Sequence, residues 1–129
     1  MKSSVALFGQ AEKGVFDKPY FLKTLDQLMD FLGQAPEDSL GLGFAIQALM
    51  YERPLIFFRV EEEGFSIEDY YSGFKKLAQK EHIGQIDALC LPGVGDTEIL
   101  EKAEPLCHIH KSVIILTEKD FYDFLTTKH

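Results

Sequence analysis

Ile86-Asp87-Ala88-Leu89-Cys90-Leu91 is an apolar run that breaks at Pro92-Gly93-Val94-Gly95-Asp96 and resumes at Thr97 with helical spacing. A run this short and apolar reads as a strand covered on both faces, followed by a tight glycine loop and a helix start. That unit aims backbone N–H groups and the positive end of a helix at one spot, the usual geometry of an anion or nucleotide site in parallel α/β proteins. Ser4-Val5-Ala6-Leu7-Phe8, Leu55-Ile56-Phe57-Phe58 (continuing through Arg59 to Val60) and Ser112-Val113-Ile114-Ile115-Leu116 are three more such runs. None alternates apolar with polar as a half-exposed antiparallel strand does, so the four together predict a parallel sheet covered by helices.

Between these runs the apolar spacing is helical. Phe21, Leu22, Leu25, Leu28, Met29 and Leu32 follow Pro19 and end at Gly33, which predicts a first helix over residues 20–33. Leu42 to Met50 is apolar nearly all round and predicts a buried helix starting within Ser39-Leu40-Gly41-Leu42-Gly43, with Ser39 read as its cap. Ser66 and Thr117 each precede an Asp three residues on, resembling capping boxes, and Asp96 or Thr97 caps a helix that Pro105 should stop. About five helices are expected in one α/β domain over residues 1–129. Right-handed crossovers favour a three-layer sandwich whose four-stranded, mainly parallel sheet has the order 2-1-3-4, with 3-2-1-4 as the alternative. This element order resembles that of Rossmann-like and flavodoxin-like domains, a resemblance of order alone that transfers no activity.

In the first order the chain reverses direction between strands one and three, the place where open α/β sheets bind ligands. Two glycine loops would face one another there: Gly9, Gln10, Glu12, Lys13 and Gly14 on one side, and Gly93, Gly95, Asp96 and Thr97 on the other. Ser39 and Gly41 would lie at the same edge. The leading expectation is therefore a domain that binds a nucleotide or another phosphorylated metabolite through loop amides, with no reaction assigned and no cofactor specified. Neither loop contains G-x-x-x-x-G-K-[ST], and the dinucleotide fingerprint fails because Ala11 and Glu98 stand where glycines are needed.

The chemistry-bearing side chains have plainer readings beside the functional ones. Glu61-Glu62-Glu63 is expected as a solvated acidic turn, although Glu61 with Glu12 and Asp96 could hold Mg²⁺ in phosphoryl chemistry. His108 and His110 would share a face if extended, with Cys107 nearby, but a surface connection is the expectation and no metal is assigned. Cys90 reads as a buried inert thiol. Asp87 and Arg59 interrupt apolar strands and either mark strand ends or pair with one another.

Composition narrows the partners. The 129 residues carry a net charge of −8, which disfavours nucleic acid and anionic membrane surfaces. There is no apolar stretch of spanning length and no convincing signal peptide, and the two cysteines make no disulfide framework, so a reduced, cytoplasmic protein is expected. Eleven phenylalanines and five tyrosines argue for a dense core and supply the alternative function: a non-catalytic adaptor or regulatory domain contacting another protein through Tyr20, Tyr51, Tyr70, Tyr71 or Tyr122.

Overall fold

The computed structural model describes residues 4–127. In chain order the elements are β1 (Ser4–Gly9), β2 (Pro19–Leu22), α1 (Leu25–Leu32), α2 (Gly41–Met50), β3 (Leu55–Arg59), α3 (Ile67–Leu77), α4 (Lys80–Ile83), β4 (Ile86–Cys90), α5 (Thr97–His110), β5 (Val113–Ile115) and α6 (Glu118–Thr126). They form an α/β fold on one five-stranded sheet of order β2-β3-β1-β4-β5. The four expected runs are β1, β3, β4 and β5, paired in parallel. The sheet differs from the expected one by its fifth strand, β2, which runs antiparallel along β3.

That strand corrects the helix expected over residues 20–33. Tyr20 and Leu22 are buried while Phe21 between them is exposed, a period of two that fits a sheet edge. The helix starts only at Leu25, where Thr24 accepts from the Gln27 N–H and the Gln27 side chain accepts from the Thr24 N–H. This reciprocal capping box fixes the boundary.

Successive strand residues enter opposite faces of the sheet. Val5, Leu7, Leu55, Phe57, Ala88 and Cys90 meet α1, α2 and α6. Ala6, Phe8, Ile56, Phe58 and Leu89 meet α3 and α5 on the other side. A sheet buried on both faces thus produces continuous apolar runs with no visible alternation. Phe8 stacks on Phe58 at 4.7 Å and on Tyr70 at 5.4 Å, and Gly73 on α3 makes room for the Phe8 ring, since a Cβ there would come within 2.3 Å of it. On the opposite face Phe44 of α2 stacks on Phe121 of α6 at 5.2 Å. Tyr20 and Tyr70 therefore belong to the core, not to a contact surface.

Several local expectations are corrected. α5 runs through Pro105 to His110, because buried Leu106 and His110 anchor the last turn and offset the hydrogen bond that the proline cannot make. Among the described residues there are six helices, the extra one being the short α4. Ser39 is not a cap: its hydroxyl donates to the Pro36 carbonyl at 2.6 Å, and α2 opens from Leu40 with no side-chain cap bond. The Ser66 hydroxyl turns back to Glu62 rather than capping α3, whereas Thr117 does cap α6 by accepting from the Asp120 N–H. Asp87 pairs with Arg53 before β3, not with Arg59. Arg59 instead donates to the Gly14 carbonyl at 2.6 Å and lies over the Phe16 ring at 4.3 Å.

Candidate functional site

The crevice forms where β1, β3 and β4 end side by side and the chain leaves toward opposite faces. Gly9, the last residue of β1, lies against Gly41, the first of α2, so closely that a Cβ built on either would stand 2.6 Å from the other's Cα. Both positions need glycine for backbone packing, and the start of α2 lies at the same edge as the other loops, as expected for a helix returning along a parallel sheet.

Glu63 occupies the space in front of that helix. Four residues beyond β3, it is only 8% exposed. Its Oε1 accepts from the Leu40 N–H at 2.7 Å, and its Oε2 from the Gly41 N–H at 2.9 Å and the Gln10 N–H at 2.8 Å. Gln10 reciprocates, its side-chain oxygen accepting from the Glu63 N–H at 2.9 Å. A helix N-terminus carries unpaired N–H groups and a partial positive charge, so an anion is stabilised there. Here the anion is the chain's own carboxylate. The next residue, Gly64, has φ +87° and donates to the buried Tyr70 hydroxyl at 2.8 Å, which fixes the turn. A Cβ on Gly64 would stand 2.3 Å from the Gly93 carbonyl oxygen, so the loops after β3 and β4 also touch.

The residues expected at the site separate into three groups. Gly9, Gln10, Gly41 and Gly93 gather around Glu63. Glu12, Lys13 and Gly14 follow the loop toward α1: the Glu12 carboxylate accepts from the Gln34 N–H at 2.9 Å, the Lys13 N–H donates to the Leu32 carbonyl at 3.1 Å, and Gly14, with φ +114°, packs on Leu32. Gly95 and Thr97 are exposed, and Asp96 caps α5 by accepting from the Glu98 N–H at 2.8 Å and, more weakly, the Ile99 N–H at 3.4 Å. The α5 terminus is thus also met by an internal carboxylate.

Glu63 is the residue that sequence reasoning missed. It closes an acidic triplet whose first two members, Glu61 and Glu62, are exposed as expected, and the triplet itself does not distinguish the third. The only signal is positional: β1 and β3 are neighbours, so the turns leaving them meet.

Other ionisable groups have structural partners. His110 is fully buried on α5, not extended beside His108. Its Nε2 donates to the Leu77 carbonyl at 2.7 Å and its Nδ1 accepts from the Ile86 N–H at 3.3 Å, an arrangement that needs the neutral ring. Burial, and secondarily the Asp87 charge, pushes the Cys90 thiol well above its ordinary range. Burial likewise raises the Tyr70 phenol. Among the described residues no three His, Cys, Asp or Glu side chains form a group able to hold a metal, so Glu12, Glu61 and Asp96 are not brought together. An open groove of about 650 Å³ lies elsewhere, along α3, where Lys76 is ion-paired with Asp17.

The opposite face of the sheet offers a different feature. α2 has the sequence GLGFAIQALM, without a single charge, yet its outer side is open: Met50 is 69% exposed, and Gly43 and Ile46 are also exposed. Tyr51, just after α2, and Tyr122 of α6 are exposed and meet edge to face at 6.4 Å. Leu25 and Met29 add exposed apolar surface on α1, which packs against α2. Among the described residues no helix is long and apolar enough to cross a membrane. Compared with known proteins, the chain matches no family model, no curated protein and no solved structure.

Proposed function

We propose that the chain is a non-catalytic protein-interaction domain whose contact surface is the outer side of α1, α2 and α6. The observation that carries this reading is α2 itself, a charge-free helix on the outside of the fold with Met50 69% exposed. Surface helices normally present charged residues to water, and contiguous exposed apolar area marks binding surfaces. Tyr51 and Tyr122 extend the patch with side chains that anchor interfaces at low entropic cost.

The ligand reading is second, and one observation speaks for it: Gly9, Gln10, Gly41 and Gly93 converge on a bound carboxylate, a geometry that accepts anions. A phosphorylated ligand would have to displace Glu63 and leave its charge beside the phosphate, an unfavourable exchange. We read the fold more finely as a three-layer, flavodoxin-like sandwich, from the order β3-β1-β4-β5 with helices on both faces. A cytoplasmic setting fits the two free cysteines, and the net charge of −8 fits partners other than nucleic acid or anionic membrane.

Affinity isolation from native lysate tests the proposal with the wild type and Met50→Glu side by side. The expected result is a stoichiometric protein partner retained by the first and lost by the second. Saturable binding of a nucleotide or sugar phosphate, with no protein that depends on Met50, would reverse the order of the two readings.

A further inference from the structure

The chemistry of the α2 face specifies its partner more narrowly, and this step rests on the interaction reading above. We infer that the face receives an amphipathic helix of another protein whose polar margins are basic.

The shape of the face comes from α2. Gly43, Ile46, Gln47 and Met50, spaced three and four residues apart, form one band about 10 Å long on the outer side of the helix. A Cβ on Gly43 would meet nothing within 4 Å, so the α2 backbone is open to close approach at that end. The flank carrying Phe44 is stacked on Phe121 of α6. Ile46 lies about 200° around the axis from Phe44, on the side away from α6; α1 also packs on α2. A helix face with Ile46 and Met50 as apolar ridges and Gly43 as a gap at one end, on a helix that packs against α1 and α6, is a surface into which another helix packs.

The charge comes from the flanks. α2 contributes none, Asp26 and Asp30 are exposed on α1, Asp123 is exposed on α6, and Glu52 is exposed just past the end of α2. Lys119 on α6 and Lys23 just before α1 are exposed cations on the same flanks, so the four carboxylates keep the margin acidic. An apolar centre with an acidic margin is complementary to leucine-rich helices edged with Lys or Arg, which it would steer toward the face. The same margin, on a chain of net charge −8, opposes both a second copy and an anionic bilayer.

The test uses the whole protein and a synthetic helical peptide with a leucine seam and lysine margins, against the same seam with glutamate margins. The lysine peptide should bind, more weakly at high salt, and Ile46→Glu or Met50→Glu should each weaken it at least about tenfold. These substitutions add negative charge, so an attachment that was merely electrostatic would tighten. Both positions are exposed, and thermal unfolding of each variant checks that it still folds. Equal binding of both peptides, each lost in Met50→Glu, would overturn the basic partner while leaving the interaction reading intact. No binding, or binding indifferent to both substitutions, would overturn the docking face as well. Dimerisation abolished by Met50→Glu, or sedimentation with phosphatidylserine vesicles abolished by it, would overturn the inference in favour of a second copy or a membrane.

Discussion

Replacing Glu63 with alanine removes one carboxylate and leaves three backbone donors, at Gln10, Leu40 and Gly41, without their acceptor. Water can reach the partly exposed Gln10 and the exposed Leu40, so each of those bonds should cost only about 0.5–1 kcal/mol net. The Gly41 N–H is buried against Gly9 and has no such substitute, which adds about 2 kcal/mol. The total is about 3–4 kcal/mol, or a fall in Tm of roughly 10–15 °C for a domain of this size. Urea unfolding at neutral pH measures it, with an unchanged m value indicating that the native state has kept its compactness. Glu63→Gln should lose roughly half as much, since it keeps one acceptor oxygen but turns an NH₂ toward a backbone donor. Glu62→Ala, at an exposed neighbouring side chain, should stay within about 0.5 kcal/mol. A loss below about 1 kcal/mol in Glu63→Ala would refute the reasoning, because the carboxylate would then be an incidental neighbour of those amides and not their internal ligand.

Four other outcomes follow from the packing and hydrogen bonds. Gly9→Ala should be strongly destabilising because its Cβ meets the Gly41 Cα at 2.6 Å, whereas Gly95→Ala, with nothing within 4 Å, should be near neutral; paired thermal melts decide. His110→Phe keeps the ring but strands the Leu77 carbonyl and the Ile86 N–H, and should cost about 2–4 kcal/mol by urea unfolding. Tyr70, its phenol raised by burial, stays protonated when folded, while the unfolded chain ionises above about pH 10; its contribution is complete below that pH and is lost as pH rises. The urea midpoint of the wild type should therefore fall more steeply above about pH 10 than that of Tyr70→Phe. With a thiol reagent at mild alkaline pH, Cys107 should react before Cys90, which is fully buried and whose thiol burial pushes well up; Cys90 should wait for unfolding.

The parts of the fold that were legible in the sequence are those where burial overrides everything else. Three of the four continuous apolar runs, β1, β3 and β4, report strands covered on both faces, whereas β5 at the sheet edge leaves Val113 exposed; the connections of the four leave few ways to order them. β2 was hidden because Leu22, Leu25, Leu28 and Leu32 sit at intervals that suit a helix, although the chain changes from strand to helix between the first two. The reciprocal pair of Thr24 and Gln27 marked the true helix start. At the crevice, Gly9 and Gly41 touch, and the loops after β3 and β4 meet at Gly64 and Gly93. What fills the crevice was not legible, because Glu63 differs from Glu61 and Glu62 only in where a turn after β3 carries it. The same holds for tyrosine: Tyr70 is core, stacked on Phe8, and Tyr122 is surface, beside the exposed Tyr51, a difference that only the packing makes.

The central claim is that the α2 face is where this protein meets another. A photoreactive amino acid introduced in place of Met50, and as a control in place of exposed His108 on α5, tests it in the native cell. Illumination should yield a discrete protein adduct from position 50 and none from position 108. No adduct at position 50, or the same adduct from both positions, would contradict the account.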